Sequence, residues 1–521
     1  MLVPGGCWVR PSLVGLLVCA LWGWSVFGQA ADDAAVCPPV ARIVSMQGTL
    51  QIQRAGQSQS SFVRKLGTQL CQNDLLHAGS GSRAALFISA ETLVRLDQNS
   101  TVKISQTTNE TVVEFVKGAE DPFAKALFAP YQCGAGYFIT RYPKRFRVIT
   151  PFANALVEGT EFLVALRCES TEIAVFEGKV RAEQTLAASQ SVTLTSGQSF
   201  SAGPDQPATV RVLVKPADAV QWVLYYPPLS EPGSAQDADR KCDSASATER
   251  SRCLTSRAER RLRAGRVDEA QGDIDQALKL VRDSADAEAL LSVISVVKNE
   301  KTAALALAAH ATQLEPLNAR AWIALSYAQQ AGFKLEDALM SAERAIELEP
   351  RNATAQARVA ELLMSLGKTR SAEKAAQAAV EASPNESRAH TILGFVHLAQ
   401  IDTKKARVDF EAAIERDSND PLPRLGLGLA IIREGDLKAG REEIEIAVAL
   451  DPTNSLIRSY VGKAYYEENS NERDQLAATQ FGLAKQLDPK DPTPWFYEAA
   501  SKIAKVAFIF SSGRLNIDIG I

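Results

Sequence analysis

The chain has 521 residues, 46% hydrophobic and 23% charged, with 57 basic against 61 acidic side chains and a formal net charge of -4. That length exceeds what one hydrophobic core organises, so two or three domains are expected. The balance of charge excludes a general basic field for nucleic acid or anionic lipid, and four histidines leave little for acid–base or metal chemistry.

Residues 1–30 differ from the rest. Arg10 is their only charge, Leu13 to Phe27 is almost wholly apolar, and Gly28 and Ala30 are small residues suited to a cut after Ala30. This reads as a secretory signal peptide. The alternative is an uncleaved anchor, but the apolar run falls short of the ~20 residues a span needs. A lipoprotein signal at Leu16-Leu17-Val18-Cys19 meets a bulky Val18 where a small residue is wanted. Export gives meaning to the mature chain's cysteines: Cys37, Cys71, Cys133, Cys168, Cys242 and Cys253. Their even number suggests disulfides, and chain order favours Cys37–Cys71, Cys133–Cys168 and Cys242–Cys253 among the pairings open to them. Zinc is the weaker alternative, since there is no CxxC and no nearby histidine.

Residues 40–214 read as an all-β domain. Leu50 and Ile52, Val102 and Ile104, and Phe146 and Val148 alternate with polar neighbours, and Phe162, Val164, Leu166 and Cys168 form the longest strand face. Several motifs follow in order: Leu66-Gly67, Leu70-Cys71-Gln72-Asn73-Asp74, Gly79 to Ala84, Leu93-Val94-Arg95-Leu96 and Asn99-Ser100. Phe146 to Pro151, Val157 to Phe162, Val175 to Val180 and Gly197-Gln198 complete the set. Together they resemble a FecR domain over about Val40 to Gly203, with Asn73-Asp74 where the family usually has Gly-Asp. The resemblance implies a bacterial extracytoplasmic domain; its namesakes sense an occupied outer-membrane receptor and signal to a sigma-factor system. That role needs a cytoplasmic segment and a membrane helix, and neither is expected here unless the signal peptide stays uncut. What transfers is a ligand- or partner-binding module. Signalling members of the family are thought to cut themselves at a Gly-Thr step, which here is Gly159-Thr160. The same dipeptide also reads as a tight turn into the Phe162 strand.

Residues 215–250 carry Trp222, Tyr225, Tyr226, Pro227 and Pro228, too aromatic for a free linker, and are expected to dock the β domain onto the C-terminal half. From residue 251 the chain repeats. Pro316, Pro350 and Pro384 are 34 residues apart; the next step lands on Ser418 and the one after on Pro452. Each proline ends a helical run, and small or aromatic residues recur at fixed places: Ala338, Ala342 and Ala345, then Gly394, Ala406, Phe410 and Ala413. A 34-residue period of helix pairs resembles the tetratricopeptide repeat. Seven copies span residues 251–489, the last with three extra residues around Asn471; residues 490–521 hold a partial eighth copy and an atypical tail. The fold expected is therefore mixed: an N-terminal all-β FecR-like domain and a C-terminal all-α repeat solenoid, a right-handed superhelix of helix pairs.

No phosphate-cradling glycine loop, GxSxG or HExxH is present. His390 and His397 are seven apart on one helix and read as packing positions, and Glu442-Glu443 as a solvated face. No enzyme activity, cofactor or metal site is expected. By analogy with the repeat family, positions two, five, nine and twelve of each copy line a concave groove. The residues there that would hold a protein partner are Arg320, Tyr327, Arg388, Phe395, Leu425, Leu429, Lys463 and Tyr466. Leu422 to Ile432 makes an apolar patch suited to an amphipathic helix or extended peptide. The chain reads as a non-catalytic protein-binding scaffold in the periplasm of a Gram-negative bacterium, outer-membrane associated through partners and without nucleic acid. The alternatives are an envelope signal sensor, and a cell-wall or polysaccharide binder.

Overall fold

Alternation along the strands is clean in one part of the β domain and absent in another, and that difference organises the molecule. The computed structural model describes residues 37–511, apart from 89–91, 117–133, 142–144, 158, 168, 186–190, 205–207, 214–223, 230–240 and 244–245, with side chains to 503. The signal-peptide segment, Cys133, Cys168, Trp222 and the tail beyond 511 lie outside the described residues.

One sheet runs β18 (Thr209–Val212), β17 (Gln198–Ala202), β14 (Ser170–Glu177), β13 (Glu161–Arg167), β10 (Ala135–Thr140), β7 (Thr92–Leu96), β6 (Arg83–Ile88), β1 (Pro39–Gln47) and β4 (Gln69–Cys71). The second runs β16 (Ser191–Thr195), β15 (Lys179–Gln184), β12 (Ala153–Val157), β11 (Arg145–Ile149), β9 (Glu110–Phe115), β8 (Ser100–Gln106), β5 (Leu75–Ala78), β2 (Leu50–Gln53) and β3 (Ser60–Phe62). They enclose one core, to which Ile43, Val94, Phe138 and Phe162 come from the first sheet and Leu76, Val102, Val148 and Val180 from the second. Phe138 lies opposite Phe162 in the ladder, and their rings stack with centroids 4.9 Å apart. Halves of the sandwich join through antiparallel β7–β10 in one sheet and parallel β9–β11 in the other.

In the second sheet, β9 and β12 alternate buried with half-buried positions, as a sheet with one wet face should. In the first sheet, β6, β7 and β10 are buried at every position. Their outward side chains Phe87, Leu93 and Tyr137, with Leu163 of β13, enter a second core with Ile444, Val448 and Tyr465 of the helical half. The repeats thus cover the outer face of one sheet.

First helices of the repeats are α3 (Ala285–Val297), α5 (Ala319–Ala331), α7 (Ala353–Ser365), α9 (Ser387–Ala399), α11 (Pro421–Arg433) and α13 (Ser455–Glu467). Second helices are α4 (Lys301–Leu314), α6 (Leu335–Leu348), α8 (Thr369–Ala382), α10 (Thr403–Arg416) and α12 (Leu437–Leu450). The pair α1 (Ala247–Arg263) and α2 (Val267–Leu280) precedes them, and α14 (Asn471–Leu487) and α15 (Thr493–Ser511) follow. The extra residues near Asn471 lengthen α14 to 17 residues, where the second helices α4, α6, α8, α10 and α12 have 14. Each turn from first to second helix passes through one left-handed residue: Gly265, Asn299, Phe333, Gly367, Ile401, Gly435 and Asn469, all 34 apart. Such a residue closes a helix C-terminus, which favours glycine or asparagine there. Between helices, Phe410 fills the space left by two glycines. A Cβ at Gly394 or Gly426 would come within 2.5 and 2.2 Å of its ring.

The turn from α3 into α4 meets the C-terminal end of α14. Asn299 donates from Nδ2 to the Leu487 carbonyl at 2.9 Å, and Lys301 pairs with Asp488 at 2.9 Å. Disulfides join Cys37 to Cys71 and Cys242 to Cys253. Among the described residues, no helix is long and apolar enough to cross a membrane.

Candidate functional site

The β-sandwich and the repeat array meet in a polar network set into the second core. Glu161, at the start of β13, is buried and receives both Nη atoms of Arg458 from α13, at 3.0 and 2.7 Å. Arg141 pairs with the same carboxylate and with Glu177 at 2.6 Å, and the Tyr137 hydroxyl donates to it at 2.9 Å. Burial alone would raise the Glu161 pKa; Arg458 and Arg141 outweigh it and hold the group well below the usual carboxylate range. Nearby, Arg424 of α11 donates to the Val44 carbonyl at 2.6 Å and pairs with Glu443 at 2.6 Å. Ser418 accepts from the Met46 amide at 3.0 Å and donates to its carbonyl at 3.1 Å, and Ser45 donates to Asn419 at 3.1 Å.

A repeat rule explains why these arginines stand here. The fourth residue of successive first helices is Trp322, Gln356, His390, Arg424 and Arg458. Trp322, Gln356 and Arg458 donate a side-chain N–H to the carbonyl of the proline six residues earlier, at 2.9, 2.7 and 2.6 Å, and His390 Nε2 faces Pro384 at 3.2 Å. His390 is therefore a structural repeat position. His397 contacts Asp409 at 2.5 Å instead, and no group of His, Cys, Asp or Glu able to hold a metal occurs among the described residues. Arg424 follows Ser418 rather than proline and turns to the β domain.

Next to the network are groups that burial has shifted. Arg95 is buried and reaches Asn419 at 3.3 Å, while its Nε and Nη1 find no partner among the described residues. Burial raises Asp97 to about 7 against the pull of Arg83 and Arg95, raises Asp420 to about 7 against Arg388, and raises Asp451 to about 6.

The residues proposed for the groove are engaged within the chain. Arg320 pairs with Glu259 at 2.9 Å and Asp286 at 3.4 Å. Tyr327 is 5% exposed, with the Arg358 guanidinium 4.1 Å from its ring centroid, and Arg388 pairs with Glu361 at 3.3 Å. Burial would raise Glu361, but Arg388 and Arg358 hold it at about 2. Phe395 meets Phe410 edge-on at 5.0 Å, and both Phe395 and Leu429 pack on the cluster that also takes Leu66 of the β domain. Leu425 is 2% exposed in the core shared by sandwich and repeats. Lys463 pairs with Glu467, and Lys463 and Tyr466 are half-buried. The connector enters as well. Leu224, Tyr226 and Leu229 are buried in the core of the first repeats with Ile323 and Tyr327, and the Leu229 amide donates to Glu259 at 3.2 Å. The Tyr225 hydroxyl reaches Asp417 at 3.4 Å, and burial with Asp420 and Asp417 pushes its pKa well up. These side chains are thus taken up by contacts within the chain, which the periodicity of single helices could not carry.

Gly159 has φ +64°, and Thr160 is fully buried. Its carbonyl accepts from the Thr140 amide at 3.0 Å, and its hydroxyl finds no hydrogen-bond partner among the described residues. Attack on the Gly159 carbonyl would need a base at that hydroxyl.

In class, the chain is a two-sheet β-rich half followed by a solenoid of paired helices. Residues 74–181 match the family described as FecR protein, and residues 328–394 match the tetratricopeptide repeat, in that order. Among solved structures, the chain is similar to the Cut9-Hcn1 hetero-tetramer of APC/C, at 13% identity and TM-score 0.39, covering 49% of this chain and 48% of that one. A thermophilic tetratricopeptide protein of Thermus thermophilus gives 19% and 0.32, with 36% of this chain and 100% of that one covered. Pseudomonas aeruginosa pilF gives 19% and 0.30, over 42% and 97%. The chain spans about half the length of the first of these. No curated protein matches it.

Proposed function

We propose that this protein is a non-catalytic scaffold exported to the cell envelope, in the periplasm of a Gram-negative bacterium, whose repeats grip its own FecR-like module. Both matched families support an envelope signalling or protein-interaction role. The observation that carries the reading is the buried Arg458–Glu161 pair. An ion pair of this kind with a full set of hydrogen bonds fixes one arrangement of two parts rather than adding much net stability. The module and the array then act as one rigid body, and partners bind what the chain leaves uncovered. On the inner side, that is the last copy, where Leu456 is exposed beside half-buried Lys463 and Tyr466. Such a mixed surface suits an amphipathic helix or an extended peptide from an envelope protein.

Photocrosslinking in the producing cell tests this, with the reactive side chain introduced at Leu456 or Lys463 and, as a control, at exposed Val408 on α10. One recurrent envelope protein captured from the first two positions and not from Val408 is the expected result. Equal capture from all three, or none, overturns the reading.

A further inference from the structure

An open cleft of about 600 Å³, with no sandwich residue among its described lining, lies where the segment Lys241–Asp243 meets α1 and α2. Its lining holds four cations, Lys241, Arg250, Arg257 and Lys279, against one carboxylate, Asp243. Arg257 is spoken for, since its Nε and Nη2 clasp Asp273 at 2.9 and 2.6 Å. Lys241, Arg250 and Lys279 form no ion pair among the described residues, and Arg250 Nε is buried without a hydrogen-bond partner. Burying an unsatisfied guanidinium N–H is costly unless something accepts from it. In a chain of net charge -4, this concentration of positive charge is local. Leu254 and the Cys242–Cys253 bridge give one wall an apolar character, and the bridge ties Lys241 and Asp243 to α1.

We propose that this cleft binds a phosphate-bearing ligand, its anionic group held by Lys241, Arg250 and Lys279 and its organic stem lying along Leu254. Three cations with no ion pair among the described residues outnumber the one carboxylate of the cleft and suit a doubly charged phosphate. The volume falls within the ~300–1,000 Å³ of small-molecule sites, so the ligand is a phosphorylated small molecule or a phospholipid headgroup. The disulfide is a positioning element, because without it Lys241 is no longer fixed beside α1.

The test is calorimetric titration of the purified protein with inorganic pyrophosphate. Flotation with phosphatidylcholine vesicles, with and without phosphatidylglycerol, runs in parallel. Pyrophosphate is expected to bind, with affinity falling about tenfold or more in Arg250→Ala, Lys279→Ala, where two charge-assisted contacts are lost. A Cys242→Ser, Cys253→Ser variant should weaken binding without abolishing it. Thermal melts confirm folding, and the single exposed substitution Lys279→Glu serves if the double variants are unstable. Variant-sensitive binding to phosphatidylglycerol vesicles but not to pyrophosphate assigns the site to a lipid headgroup. Binding that is unchanged in the variants, or absent for both probes, overturns the proposal.

Discussion

Ser418 stands where neighbouring repeats carry proline, and its hydroxyl bridges the amide and the carbonyl of Met46 in β1. The one break in the 34-residue proline register between Pro316 and Pro452 is thus a contact between repeats and sandwich. Restoring the register with Ser418→Pro removes two hydrogen bonds and leaves the Met46 amide without its partner. A loss of roughly 1–3 kcal/mol is expected. Hydrogen exchange should show it as faster exchange at Met46 with unchanged protection in α9 and α10. Unchanged exchange at Met46 would mean the contact does not hold in solution.

Arg458 and Glu161 give the sharper test of the joint. Arg458→Ala leaves the Glu161 carboxylate buried with Arg141 and Tyr137 but without its bidentate partner. Removing one member of a buried pair typically costs about 3–5 kcal/mol, whereas an apolar replacement of both members is near neutral. Urea unfolding of Arg458→Ala and of Arg458→Met, Glu161→Met should therefore diverge, with the double variant the more stable. If both lose less than about 1 kcal/mol, the pair does not lock the two halves.

Much of this architecture was legible in the residues, and the limits are instructive. Period-two alternation and the 34-residue spacing led to an all-β domain and a solenoid, because each records the geometry of a local element. The near-continuous apolar runs Ala84 to Ile88 and Phe162 to Leu166 carried a further signal, two covered sheet faces, that alternation counting passes over. Arginine at two successive fourth positions, 424 and 458, was a similar mark of the joint. The groove residues were identified by repeat position, but occupancy of an inner face depends on where a distant segment folds back. Nothing in Tyr327 or Leu425 records that Tyr226 or Leu163 will lie in the same core.

Stability should fall as pH rises toward neutrality. Asp97 and Asp420 have folded pKa values of about 7 and Asp451 of about 6, all raised from 3.8 chiefly by burial. The folded state therefore holds more protons than the unfolded chain between about pH 4 and 7, and unfolding free energy declines with pH across that window. Glu361, held at about 2, acts oppositely, its contribution being present above about pH 4.5 and lost as pH falls toward 2. Denaturation midpoints from pH 4.5 to 8 would show the decline, and Asp97→Asn should flatten it. A midpoint that rises over this range contradicts the burial of these carboxylates.

Ile401 is a β-branched residue in the left-handed conformation, at φ +67° and 69% exposed, where equivalent turns use Gly367, Gly435, Asn299 and Asn469. Its side chain gains little from burial and sits in a backbone well that costs it about 1–2 kcal/mol. Ile401→Asn should raise stability by roughly 0.5–1 kcal/mol, read as a higher urea midpoint at constant slope. A lower midpoint would mean that the exposed isoleucine makes a contact in the folded protein.

Thr160 decides between a sensor that cuts itself and a strand that merely starts at Glu161. Its buried hydroxyl has no described partner to take its proton, and its carbonyl is fixed in the ladder to Thr140. The Gly159–Thr160 bond is therefore expected to stay intact, with a single full-length mass after prolonged incubation at neutral pH. Thr160→Val removes a buried hydroxyl that has no hydrogen-bond partner among the described residues and should stabilise the fold by about 1 kcal/mol. A fragment ending at Gly159, abolished by the same substitution, would instead make the hydroxyl a nucleophile and favour the signalling reading over the scaffold proposed above.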